Sequence, residues 1–264
     1  MFGFKKRRRQ KLRGEPFPPE WAEILEKNVP YYSLLSPGEK AELRGHIQVF
    51  LHEKRFEGLG GLKITDEIRV VISAQAGILL LNRESDYYPI LKSIIVYPRE
   101  YYAETQDDLP GGVVREGLEE RAGESWHRGE VVLSWHDIRQ DLTDIHDGFN
   151  VVLHEFAHQL DGESGEEDGI PVLPERSLYS RWVEVMGREY QKLKKDVERR
   201  RKTFLDEYAA EHPAEFFAVL TEYFFEMPGE LKKRSPEIYE LLSRYYRQDP
   251  ATRFERIIIE ERKG

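Results

Sequence analysis

Cysteine is absent from the 264-residue chain. Disulfides and thiolate metal sites are therefore excluded, and any bound metal must be held by histidine and carboxylate. No apolar run approaches the roughly 20 residues that span a bilayer. The basic cluster Lys5 to Arg9 is followed by the polar stretch Gln10 to Pro19, which does not match a secretory signal. A cytoplasmic protein is expected. The net charge of −9 argues against general nucleic-acid binding, and the basic run reads as a solvated, flexible tail over residues 1–14.

What is present is mostly helical in period. Pro37 to Lys54 places Leu43, Ile47, Phe50 and Leu51 on one side. Thr65 to Leu81 is a second helix, with Thr65 as N-cap, and Gly58 to Gly61 breaks the connection between the two. Ser93 to Tyr97 and Glu130 to Trp135 have the β-branched and aromatic content of strands, while 104–129 reads as mostly loop. Helices are then expected around residue 154, over Leu178 to Lys202, Pro213 to Glu226 and Pro236 to Arg247. The class is α+β, mostly helical with a small mixed β-sheet.

Residues 154 to 158 read His-Glu-Phe-Ala-His. On a helix, His154 and His158 lie one turn apart and present their imidazoles to the same side. That suits two ligands of one zinc ion, with Glu155 beside them as base. Phe149, Leu153, Phe156 and Leu160 form the core-facing stripe, and the polar trio falls on another side.

A catalytic zinc usually has three protein ligands and one open position. The metzincin spacing would need glycine at 161 and histidine at 164. Asp161 and Ser164 stand there, so that arrangement is excluded. A carboxylate from a later helix is the alternative. On Pro213 to Phe225, Glu215 and Glu222 share a face beside the apolar stripe of Phe216, Phe217, Leu220 and Phe224. From the residues alone, Glu215 fits a ligand and an ordinary first-turn glutamate equally well.

These segments resemble the Mlc titration factor A family of bacterial zinc peptidases, whose catalytic core is similar to the anthrax lethal factor metalloprotease domain. The resemblance covers nearly the whole chain. It rests on Phe17-Pro-Pro-Glu-Trp, the segment from Thr65 to Ala76, Val96-Tyr-Pro, Leu133-Ser-Trp, and above all Asn150 to Asp161 and Pro213-Ala-Glu-Phe-Phe-Ala-Val. It implies a zincin-like fold, one Zn2+ per chain, Glu215 as third ligand after His154 and His158, and Tyr208 facing the metal. Glu155 and Tyr208 are then the catalytic pair: a base for the attacking water and a donor to the developing oxyanion. One peptidase domain is expected over 15–250, with an N-terminal helical part to about 90 and a catalytic part over about 91–235. Residues 251–264 read as a charged extension.

Asp161 fits two readings, an orienter of a ligand imidazole or a plain helix C-terminal residue before Gly162. His127, His136 and His146 read as structural or exposed, and His212 as part of the turn before its helix. The strand at Glu130 has the composition of an edge that pairs with an extended peptide, or of an interior strand. Two functions are expected from this sequence. One is a zinc-dependent peptidase acting on a peptide or protein substrate, aminopeptidase-like or regulatory in action. The other is a binding protein that titrates a transcriptional repressor of the Mlc type, with hydrolysis secondary. A purely structural metal is disfavoured by Glu155, because such a site needs no base.

Overall fold

The computed structural model describes residues 2–99, 101–109, 113–121 and 129–261, with side chains over 3–99 and 129–255. Helices α1 (Phe2–Arg13), α2 (Pro19–Asn28), α3 (Pro30–Ser33) and α4 (Pro37–Glu53) come first, followed by strand β1 (Arg55–Gly58) and helix α5 (Asp66–Ile78). Strands β2 (Ser93–Tyr97), β3 (Tyr101–Leu109), β4 (Val113–Arg121) and β5 (Glu130–Ser134) are next. The remainder is helical: α6 (Trp135–Asp141), α7 (Val151–Asp161), α8 (Arg176–Glu198), α9 (Pro213–Glu226), α10 (Pro228–Arg234), α11 (Pro236–Tyr246) and α12 (Pro250–Glu261).

Local chemistry explains the starts. Helices α2, α4, α9 and α11 each open on proline, whose missing N–H would have been unpaired in the first turn anyway. Ser36 and Glu39 close a reciprocal capping box on α4, and the Thr65 hydroxyl accepts from Ile68 N at the start of α5. Gly129, at φ +74°, leads into β5. A Cβ there would lie 2.5 Å from the Ile90 carbonyl oxygen, so only glycine makes this entry.

Strands β1, β2 and β5 form a parallel sheet in that order, with Ile94 pairing Val131 and Val96 pairing Leu133. Helix α5 is the crossover between β1 and β2, as parallel neighbours require. One continuous cluster of buried side chains runs from Leu25 through α4, α5, α7 and α9 to Ala251. Ile94, Val96, Val131 and Leu133 of the sheet join this cluster, and α7 and α9 lie inside it.

Several expectations are corrected. The three-stranded sheet is wholly parallel rather than mixed, and among the described residues antiparallel pairing is confined to a separate β3–β4 hairpin. That hairpin occupies most of the stretch expected to be loop. Its sequence is too charged for apolar alternation to show, yet strands pair through the backbone. Strand β1 carries no strand pattern in its sequence, because Arg-Phe-Glu-Gly is short and ends on a glycine.

Residues 2–13 are a helix, not a flexible tail. Arg9 grips Glu53 with Nε and Nη2 at 2.8 and 2.7 Å and also reaches Asp86. The 251–264 extension is largely α12, where the half-buried Arg253 binds Tyr31 Oη at 2.7 Å and pairs with Glu39. Phe149 is 51% exposed and leaves the proposed stripe, because it precedes the N-cap Asn150 and lies outside the helix.

Candidate metal centre

Two buried helices carry the site. All of α7 except Val151 and His154 is buried, and all of α9 except Pro213 and Glu215. Asn150 caps α7 by accepting Leu153 N at 3.0 Å, and Asp141 accepts Val151 N at 2.9 Å. Polar groups inside so apolar a pair of helices cost several kcal/mol unless they find partners. Their partners therefore define the site.

His154 and His158 do share one side of α7, with ring centroids 4.8 Å apart. Glu215 comes from the first turn of α9, and one of its oxygens lies 3.1 Å from His154 Nε2 and 3.2 Å from His158 Nε2. The two Nε2 atoms are themselves 3.2 Å apart. Three atoms thus form a near-equilateral triangle, and these residues make up a metal-compatible group among the described residues. Tetrahedral coordination at about 2.0–2.1 Å separates ligand atoms by about 3.3 Å, so the triangle fits a zinc-sized ion. The donor set, two imidazoles and a carboxylate, suits zinc as well.

In sequence, Glu222 shares a helix face with Glu215 and carries no further signal of a role. In the structure it is buried, and its Oε1 lies 2.7 Å from His154 Nδ1. A proton on Nδ1 donated to Glu222 leaves the Nε2 lone pair facing the triangle, as in carboxylate–histidine–metal arrangements. The other oxygen, Oε2, accepts Asn150 N at 2.6 Å. Both oxygens must therefore be acceptors. Glu222→Gln would turn an NH2 toward one of the two donors, and we expect it to weaken zinc binding by about 10–100-fold in chelator competition. An unchanged affinity would remove Glu222 from the site. The available signal was its seven-residue spacing from Glu215, two helical turns on one face.

One turn further along, Glu226 accepts Asn150 Nδ2 at 3.0 Å while its Oε2 is buried without a partner. Burial pushes its carboxyl up to about 9, helped by Asp147, Glu222 and Asp141 and opposed by Asn150. The folded protein keeps this proton up to about pH 9, whereas the unfolded chain loses it near the ordinary carboxylate value. The stability it contributes is thus full at acid pH and is lost as pH rises toward 9. Glu226→Gln keeps the acceptor and removes the titration. Relative to wild type, its Tm should rise between pH 5 and 9 by at least about 2–4 °C, the equivalent of 1 kcal/mol in a chain of this size. A constant difference across that range would contradict the assignment.

Glu155, between the two histidines, is 7% exposed. Burial pushes it up to about 7, with His154 opposing and the Glu215 and Glu222 carboxylates adding to the rise. That value suits a group that takes and returns a proton near neutrality. Burial opposes charge on both histidines. On His154 the Glu222 and Glu215 carboxylates outweigh it and raise the pKa, whereas His158 falls to about 4. Tyr208 sits in a 3-10 turn, Glu207–Ala210, with its ring centroid 6.1 Å from that of His154. Burial and the Glu215 carboxylate raise its phenol, which stays a protonated donor. The residue is 46% exposed, so it stands at the mouth of the site.

Asp161 is fully buried, and its Oδ2 accepts Gly169 N at 2.8 Å. Trp182 Nε1 holds the carbonyl of Gly169 at 2.9 Å. At φ +78°, a Cβ on Gly169 would meet the Pro213 carbonyl oxygen at 2.5 Å. Asp161 therefore anchors the loop that packs on the start of α9, two residues before Glu215. His212 caps that helix through Nδ1 and Ala214 N, in the turn where it was expected. His136 is exposed, and the exposed His146 rests its ring against Phe254. His127 lies outside the described residues.

A helix carrying two histidines and a buried glutamate, with a carboxylate from a second helix closing the triangle, is the outline of a metallopeptidase. The sequence model of the glucose-regulated metallo-peptidase M90 family matches residues 4–247. The chain belongs to that family. It is 43% identical over 244 residues to the uncharacterized protein slr2042 of Synechocystis, covering 92% of this chain and 89% of that one. It is 33% identical over 242 residues to Mlc titration factor A of Yersinia pestis, covering 90% and 87%. The Yersinia pseudotuberculosis Mlc titration factor A matches to the same extent. The M90 match begins inside α1 and ends at Arg247, just past α11, so the basic helix belongs to the shared unit. Among the described residues, no helix is long and apolar enough to cross a membrane.

Proposed function

We propose that this M90 member is a zinc-dependent peptidase with a zincin-like, lethal-factor-type catalytic core. The observation that carries the reading is the 3.1–3.2 Å triangle of His154, His158 and Glu215 around one point. These three residues would hold the metal. A bound zinc supplies a Lewis acid and lowers the pKa of its water to near neutrality.

The chain's own groups do the rest. Glu222 keeps His154 in the tautomer that offers Nε2. Glu155 takes the proton of the attacking water and delivers it to the leaving amine as the carbon–nitrogen bond breaks. Tyr208, protonated and at the mouth, donates to the carbonyl oxygen as it gains charge. An extended substrate has a place beside β5, which pairs only with β2 among the described residues, runs directly into α6 and precedes α7 in the chain.

Metal analysis combined with hydrolysis of unblocked and N-blocked peptides tests the proposal. One zinc per chain with cleavage is expected, and preference for unblocked peptides would identify an aminopeptidase. Absence of both would end the reading. In the same assay Tyr208→Phe should lower kcat by about 10²-fold with zinc content unchanged. An unaltered kcat would remove Tyr208 from the mechanism.

A second reading rests on the name shared by the Yersinia relatives. The chain would bind a repressor of the Mlc type in the cytoplasm, through a surface separate from the zinc site. The two activities are compatible in one protein.

A further inference from the structure

Helix α1, the end of α4 and the segment 86–91 line an open pocket of about 500 Å3 to which no residue of the proposed zinc site contributes. Its polar wall holds Lys5, Arg8, His52 and Lys54 together with Glu53 and Asp86. Both carboxylates are already paired. Arg9 bonds Glu53 through two nitrogens and Asp86 through a third, and Lys5 reaches Asp86 at 3.1 Å. Four cations, Lys5, Arg8, Arg9 and Lys54, thus stand against two anions, a surplus of two positive charges before His52 is counted.

Lys54 is the unusual member. Only 8% exposed, it gives two N–H bonds to the Tyr88 and Leu91 carbonyls at 2.6 and 2.7 Å, which leaves a third. Burial without a carboxylate in contact brings its ammonium down to about 8. Arg8 and His52 are exposed and have no ion pair among the described residues. Phe4, Pro89 and Leu91 supply an apolar border. The volume is that of a small-molecule site, and cavities of this kind pair a few converging polar groups with apolar walls.

We propose that this cavity binds a phosphate group carried on an organic body. A phosphate monoester brings close to two negative charges, matching the surplus. Its tetrahedral oxygens can accept from Arg8, His52 and Lys54 together, and the organic body lies against Phe4 and Leu91. The same chemistry comes from a soluble phosphate monoester or from a lipid headgroup that is itself a phosphate monoester, as in phosphatidic acid. Phe4 is 82% exposed at the tip of a basic helix, which brings both sources within reach.

The test uses the full chain with zinc. Phenyl phosphate is titrated calorimetrically, and vesicles of phosphatidic acid in phosphatidylcholine are tested by co-sedimentation. Binding of phenyl phosphate identifies a soluble ligand, and vesicle binding alone identifies a headgroup. In either case Arg8→Glu should weaken binding by at least about tenfold, the scale of one charged hydrogen bond. Arg7→Glu, a charge reversal one residue away that does not line the cavity, should stay within about twofold of wild type. Peptidase activity and zinc content should be unchanged in both. His52→Glu replaces Arg8→Glu should the latter fail to fold. The proposal is overturned if neither probe binds wild type at millimolar concentration. It is equally overturned if Arg7→Glu weakens binding as much as Arg8→Glu, since the helix charge alone would then account for it.

Discussion

Glu155→Gln is expected to reduce peptide hydrolysis by about 10²–10⁴-fold, the range of a lost general base, while leaving zinc content at the wild-type level. The two readouts part because Glu155 is not a vertex of the triangle; it lies beside it on the same helix. Glutamine has the same shape and can occupy the same buried space, so the helix should keep its packing. Burial has already pushed the Glu155 carboxyl up to about 7. The neutral amide therefore removes proton transfer without taking away a charge on which the fold depends. Hydrolysis that survived the change would refute the mechanism.

The same variant separates the two functional readings. If an Mlc-type repressor is bound through a surface distant from the triangle, Glu155→Gln should bind it with wild-type affinity while hydrolysis is lost. A parallel loss of both would mean that repressor and substrate share the cleft. Pull-down and titration against the purified repressor decide this, with zinc content measured on the same sample.

How legible the site was depended on distance along the chain. His154, Glu155 and His158 announce themselves because four-residue spacing on a helix is a local geometry. The bounds of β2 and α9 follow from proline and apolar pattern. Glu215 was different. Its helix and its face were readable, yet the residues left ligand and first-turn glutamate equally possible, and only the family resemblance favoured the ligand. Folding brings it within 3.1–3.2 Å of two histidines about sixty positions earlier, and no periodicity encodes that approach.

The misses have the same cause. Lys5 to Arg9 looked like solvated charge until Glu53 and Asp86, 44 and 77 positions from Arg9, supplied its partners. Glu222 had the right spacing but needed His154, 68 positions away, to acquire a role. Arg253 meets Glu39 across 214 positions, which turned an expected extension into a docked helix. Strand β1 and the β3–β4 hairpin failed for a second reason, since their pairing runs through backbone groups that every residue carries. Patterns within one element were legible. Polar contacts between elements were not.

Glu215→Ala should have the largest effect on the metal. It deletes one vertex of the triangle, leaving two imidazoles, and zinc affinity should fall by more than the about 10–100-fold expected for Glu222→Gln. The order matters more than either number. Glu215 faces both Nε2 atoms, where a metal would sit, whereas Glu222 faces only Nδ1 of His154 and can act on the metal only through that ring. Zinc retained after dialysis should therefore decrease from wild type to Glu222→Gln to Glu215→Ala. Circular dichroism on the same samples distinguishes lost metal from lost fold. Full occupancy in Glu215→Ala would sink its assignment as a ligand. A reversed order would mean that holding the His154 ring matters more to the site than the third vertex itself.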